Sequence, residues 1–128
     1  MYKLAIFDFD GTLVDSAPGI VQVMQEVIDE MGYSQQLLDR WSHLVGVPLL
    51  RQMELLFPEN EAQFHEDLAN NYRDKYDTKI LEICPLFPGL KDMLQSLADN
   101  QIMITVATSK RRHLVDTVVD HHGLTNYF

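Results

Sequence analysis

The sequence predicts an α/β protein: two short parallel strands joined through a helix, with an all-helical insert placed after the first strand. Three observations carry this prediction. Two strand-length apolar runs, Tyr2–Phe9 and Ile102–Ala107, lie toward opposite ends of the 128 residues. Between residues 16 and 80 the apolar positions recur at intervals of three and four, with no strand-like alternation. A proline-rich break, Cys84-Pro85-Leu86-Phe87-Pro88-Gly89, then separates that stretch from a short amphipathic helix that leads into the second run.

Each element has its own signal. The apolar residues of Tyr2–Phe9 run together, which predicts a strand buried on both faces. Ser16 ahead of Pro18 starts a helix carrying Ile20, Met24, Val27, Ile28 and Met31, and Gly32 stops it. Leu37, Leu38, Trp41, Leu44 and Val45 predict a second helix ending near Gly46. Pro48 opens a third with Leu49, Met53, Leu56 and Phe57. Phe64, Leu68, Tyr72 and Tyr76 mark a longer fourth helix and read as packing. After the break, Leu90, Met93, Leu94, Leu97 and Ala98 form a fifth helical stripe. Ile102–Ala107 is the second strand, Thr108-Ser109-Lys110 a polar loop, and Leu114, Val115, Val118 and Val119 a final helix with Gly123 as its stop. Two buried strands joined by a helix pair in parallel. Residues 1–15 and 81–128 are therefore expected to form the core, and residues 16–80 a helical accessory domain.

Composition narrows the function classes. Apolar residues are 46% and charged residues 23%, which excludes a disordered chain. No apolar run approaches membrane-spanning length, so no membrane partner is expected. The formal net charge of −9 argues against non-specific nucleic-acid binding. A single cysteine, Cys84, excludes an internal disulfide. With Met1-Tyr2-Lys3 leading straight into a strand, it fits a reducing, cytoplasmic setting. His43, His65, His113, His121 and His122 show no metal-ligand spacing.

The most informative stretch is Asp8-Phe9-Asp10-Gly11-Thr12. Aspartate is disfavoured in strands, yet two follow an apolar run. In an extended chain, residues two apart point to one side, so both carboxylates converge at the carboxyl end of a core strand, where open α/β sheets bind ligands. Two close carboxylates need a cation or a proton. Mg²⁺, a hard ion that takes oxygen ligands and keeps several waters, suits both the pair and a phosphate substrate. One aspartate can attack phosphorus to form an aspartyl-phosphate, while the other protonates the leaving oxygen and later activates water. A polar turn in which both side chains cap backbone groups also fits the pair taken alone. An EF-hand does not fit, because Gly11 comes too early and Gly19 stands where the closing glutamate belongs.

Asp8-Phe9-Asp10-Gly11-Thr12-Leu13-Val14-Asp15-Ser16 resembles the first motif of the haloacid dehalogenase-like (HAD) hydrolase superfamily. It looks most like the branch of phosphoglycolate phosphatases and β-phosphoglucomutases. The resemblance implies a Rossmann-like parallel core with an inserted helical cap. It implies Asp8 as nucleophile, Asp10 as general acid–base, and Mg²⁺ held by the Asp8 side chain and the Asp10 carbonyl. Ile102–Lys110 resembles the second motif, a strand ending in a hydroxyl residue, which assigns phosphate contact to Thr108 with Ser109 and Lys110 beside it. Gly11 and Thr12 join them as expected phosphate-binding residues. Lys110, Arg111 and Arg112 read as three cations in the first turn of the last helix, where the macrodipole disfavours them unless an anion is bound. A solvated basic patch also fits Arg111 and Arg112.

Leu44-Val45-Gly46-Val47-Pro48 resembles the glycine-bearing cap segment that faces the substrate in this branch, which makes Gly46 and Arg51 candidate specificity residues. A plain helix–helix turn with a surface arginine fits them as well. The family's later lysine and Gly-Asp acidic motif do not occur within the 128 residues. The expected core is therefore incomplete, with an open strand edge suited to self-association. The expected function is a Mg²⁺-dependent phosphatase acting on a small phosphorylated metabolite. A phosphosugar mutase of the same branch and a non-catalytic interaction fragment are the alternatives.

Overall fold

A computed structural model describes all residues, 1–128. The two strands are β1 (Leu4–Phe7) and β2 (Met103–Val106). They pair in parallel, with Leu4 opposite Met103 and Phe7 opposite Val106. Seven helices accompany them: α1 (Ala17–Met31), α2 (Gln35–Ser42), α3 (Leu49–Leu56), α4 (Ala62–Thr78), α5 (Ile80–Ile83), α6 (Leu90–Asp99) and α7 (Arg112–His121), followed by a 3₁₀ turn at Thr125–Tyr127. None is long and apolar enough to cross a membrane. The α/β class read from the sequence is the class observed. The chain divides into two compact units, Met1–Pro18 with Ile80–Phe128, and Gly19–Lys79.

The α/β unit departs from expectation in its sheet. Strand β1 is shorter than the apolar run, because Asp8 and Phe9 already turn away. Its burial is also one-sided. Leu4, Ile6 and Met103 are 45%, 63% and 65% exposed, whereas Ile104 is buried. Alternation along a strand explains the split, since Leu4, Ile6 and their partners Met103 and Thr105 share one face. Helix α6 packs against β2. A continuous apolar run predicts cover on both faces; here only the face of Ile104 is closed over.

In the helical unit the spacing locates most of each buried stripe, but α2 ends at Ser42 rather than near Gly46, so Leu44 and Val45 fall in the following turn, and Met31 and Val45 are exposed. Helix α1 buries Val23, Met24, Val27 and Ile28, and α4 buries Leu68, Ala69, Tyr72 and Tyr76. Tyr72 meets both Trp41, at 5.5 Å between ring centroids, and Tyr76, at 5.8 Å. The aromatic stripe is therefore packing. His65 is buried as well, its Nε2 2.6 Å from the Phe57 carbonyl.

Between α1 and α4, Lys75 pairs with Glu30, and Asn71 Nδ2 donates to Glu30 Oε1 at 3.1 Å. The Lys75 contact, helped by Asn71, holds the Glu30 carboxyl below the ordinary glutamate value. A depressed carboxylate pKa stabilises the fold above the unfolded-state value and loses that contribution as pH falls through the folded one. Glu30→Gln should therefore lower the melting temperature slightly at neutral pH and leave it unchanged in acid, flattening the acid-side decline; the difference stays small because the Glu30 side chain is half exposed. Melting curves from acid to neutral pH check this; identical acid slopes for the two proteins would refute it.

Candidate active site

Sheet register sets the geometry. Beyond the Phe7–Val106 pair, the Ala107 N–H donates to the Phe7 carbonyl at 2.8 Å. Asp8 and Thr108 thus leave the sheet side by side at its carboxyl end. The chain after β1 folds back at once. The N–H groups of Thr12, Leu13 and Val14 all reach the Phe9 carbonyl, at 3.2, 2.9 and 3.3 Å, and the Gly11 N–H donates to the Val14 carbonyl at 2.9 Å. Gly11 has φ +76°, and a Cβ there would meet nothing within 4 Å. Glycine is needed for its left-handed backbone rather than for space.

The proline-rich break ties this loop down. The Asp15 N–H donates to the Pro85 carbonyl at 2.8 Å, and Phe87 N–H to the Leu13 carbonyl at 3.3 Å. Phe9, Leu13 and Val14 are fully buried, which anchors the loop while its polar residues remain accessible.

Asp8 is exposed, and one of its carboxylate oxygens accepts the Phe9 N–H at 2.7 Å. That bond orients the carboxylate and leaves the second oxygen to act. Asp10 is engaged differently. The Lys110 ammonium lies 3.1 and 3.2 Å from its two carboxylate oxygens. The Lys110 side chain is 7% exposed and that of Asp10 34%. The ammonium also sits 5.9 Å from the Phe9 ring centroid, on its electron-rich face. The Lys110 N–H donates to the Thr108 hydroxyl oxygen at 3.1 Å, which folds the loop so that the lysine turns back onto Asp10.

The structure thus brings Asp8, Asp10, Gly11, Thr12, Thr108, Ser109 and Lys110 into one compact unit. It revises the basic cluster. Helix α7 begins at Arg112, with Arg111 as its N-cap, so Lys110 precedes the helix. Arg112 pairs with Asp116 one turn along at 3.5 Å, on the surface. The sequence offers no sign of the Lys110–Asp10 pair, because it depends on strand register. A hollow of about 940 Å³ along β2 and α7 is lined by Thr108 and Lys110 but by neither Asp8 nor Asp10. Gly46 and Arg51 belong to the helical unit. Gly46 has φ +99° in the turn between α2 and α3, and Arg51 pairs with Glu54 at 3.0 Å on the exposed side of α3.

No group of three or more His, Cys, Asp or Glu side chains gathers to hold a metal. The oxygen donors at the loop are the Asp8 carboxylate and the Asp10 backbone carbonyl, the Asp10 carboxylate being held by Lys110. Such oxygen-only donors suit Mg²⁺, which keeps several waters and needs only one or two protein carboxylates.

An α/β unit that delivers two carboxylates, a hydroxyl and an ammonium to the carboxyl end of a parallel pair belongs to a recognisable class. The model of the haloacid dehalogenase-like hydrolase family matches residues 5–128, and the chain belongs to that family. The chain is 32% identical to the tyrosine-protein kinase PtkA of Mycobacterium tuberculosis over 98% of its own length and 42% of the kinase. It is 31% identical to a phosphoglycolate phosphatase of Rhodobacter capsulatus over 100% of its length and 60% of that enzyme. Among solved structures, a haloacid dehalogenase-like hydrolase of Bacteroides fragilis superposes with a TM-score of 0.85 at 26% identity, covering 100% of this chain and 61% of the other. The chain therefore spans roughly half the length of the proteins it matches.

Proposed function

We propose that the chain carries the nucleophile and acid–base of a Mg²⁺-dependent phosphomonoesterase acting on a small phosphorylated metabolite, in the manner of phosphoglycolate phosphatase. The observation that carries this reading is the loop after β1. It offers the Asp8 carboxylate at the sheet end and holds Asp10 two residues on, beside Thr108 and Lys110.

The chemistry follows from these positions. An Asp8 carboxylate oxygen attacks the substrate phosphorus, the ester P–O bond breaks, and the leaving oxygen takes a proton from Asp10. Asp10 then removes a proton from the water that attacks the aspartyl-phosphate, releasing inorganic phosphate and restoring Asp8. The Thr108 hydroxyl, accepting from the Lys110 N–H, keeps its own hydrogen to donate to a phosphate oxygen. Lys110 holds Asp10 in place before substrate arrives and adds positive charge to the phosphate site. The Asp8 side chain and the Asp10 carbonyl would hold Mg²⁺, which offsets repulsion between the phosphate and Asp8. Gly46 and Arg51 are the specificity residues of this reading.

The test is release of inorganic phosphate from phosphoglycolate and p-nitrophenyl phosphate, measured on the product of the full reading frame that encodes this chain. Hydrolysis that requires Mg²⁺ and stops with EDTA is expected. A protein that turns over neither ester, nor any of a panel of phosphosugars, would overturn the proposal. The similarity to PtkA adds one arm, transfer of phosphate to tyrosine instead of water.

A further inference from the structure

We propose that Gln52 is a positioning residue that fixes the shape of the Leu44–Pro48 turn and, through it, substrate choice. The second half of this statement rests on the reading above, in which the turn contributes Gly46 to substrate contact.

Gln52 lies on α3 and is buried, unlike most glutamines. Its three side-chain hydrogen bonds all go to the turn or its anchor. The amide nitrogen donates to the Leu44 carbonyl at 3.1 Å and to the Val47 carbonyl at 2.8 Å. The amide oxygen accepts the Trp41 Nε1–H at 2.8 Å. Only this orientation works, because an indole N–H can only donate and a carbonyl can only accept. Trp41 is itself immobilised, buried on α2 with its ring against Tyr72 of α4.

The two carbonyls bracket Gly46, whose φ of +99° lets the chain reverse. Within the turn the backbone supplies only the Val47 N–H to Leu44 carbonyl bond, at 2.9 Å, and Leu44 N–H holds the Trp41 carbonyl at 2.9 Å. A leucine or methionine at position 52 would fill the same core volume without burying an amide. The buried amide instead supplies direction: it sets the spacing of the Leu44 and Val47 carbonyls and locks the glycine turn in one conformation.

Gln52→Glu keeps the size but removes both donors and aims carboxylate oxygens at two carbonyls. Trp41→Phe keeps an aromatic core residue but removes the donor that orients the amide, and it decides the matter should Gln52→Glu not fold. Hydrogen exchange at the Leu44 and Val47 amides should accelerate about tenfold or more in Gln52→Glu, and less in Trp41→Phe. Exchange at Leu68 and Ala69 in α4 should be unchanged. In the same Gln52→Glu protein, KM for phosphoglycolate should rise several-fold relative to that for p-nitrophenyl phosphate, with kcat nearly constant. Unaltered exchange at Leu44 and Val47 in a folded variant overturns the clamp. Accelerated exchange with an unchanged KM ratio overturns its link to substrate choice. An unsubstituted protein without phosphatase activity overturns the functional reading, while the exchange result still judges the clamp.

Discussion

Asp8→Asn should lower phosphate release by at least about a thousandfold while the protein melts at its normal temperature. The asparagine oxygen can still accept the Phe9 N–H that the carboxylate accepts at 2.7 Å, so the loop keeps its bond. Asp8 is exposed, so no buried ion pair is broken. What disappears is the anionic oxygen to which the proposed mechanism assigns the attack on phosphorus, and loss of a nucleophile commonly costs many orders of magnitude in kcat. KM should change little, because Thr108 and Lys110 remain. Turnover of p-nitrophenyl phosphate across a range of enzyme concentrations measures this. Undiminished turnover by Asp8→Asn would remove Asp8 from the nucleophile role.

The second large effect is on stability and involves Lys110. Its ammonium is nearly buried and meets both oxygens of Asp10. Lys110→Met leaves Asp10 without its counter-charge, and removing one partner from a buried pair is costlier than removing both. Asp10 is about one-third open to water, which moderates the cost to about 1–2 kcal/mol. A drop of a few degrees in melting temperature is expected, with partial recovery in the double variant Lys110→Met with Asp10→Asn. The coupling from this cycle should be about 1 kcal/mol. A lysine that served only to bind phosphate would show no coupling to Asp10 in ligand-free protein. Zero coupling would therefore return Lys110 to the anion-binding role alone.

These two expectations differ in how far they could be read from sequence. Asp8 and Asp10 are neighbours in the chain, and the apolar run before them and Gly11 after them describe a local event. Most helix positions were legible for the same reason, since spacings of three and four are local; the end of α2 at Ser42 and the one-turn α5 were not, because a turn and a four-residue helix leave no periodic signal. The Lys110–Asp10 pair was not legible, because it exists only once Phe7 lies opposite Val106. The start of α7 at Arg112 was missed by two residues, because the Thr108 hydroxyl captures the Lys110 N–H and delays the helix. The exposure of Leu4, Ile6 and Met103 was equally hidden: an apolar run reports what a strand can bury, not which face is covered. Gln52 reads as a surface residue in any hydropathy pattern. Its role emerges only when Trp41 and the two carbonyls surround it.

The pairing of Leu4 with Met103 also dictates an order of assembly during synthesis. Contacts of α3 with α2 and α4 are close in sequence and can form as those helices emerge from the ribosome. Strand β1 must wait for a partner made roughly a hundred residues later, on the order of 5–20 seconds at ordinary elongation rates. The bonds that tie the Asp8–Asp15 loop to Pro85 and Phe87 are delayed in the same way. The Asp8 and Asp10 carboxylates are thus made well before the segments that set them in place. Until then, the apolar stretch that precedes them is open to chaperones, and to mispairing with other nascent chains.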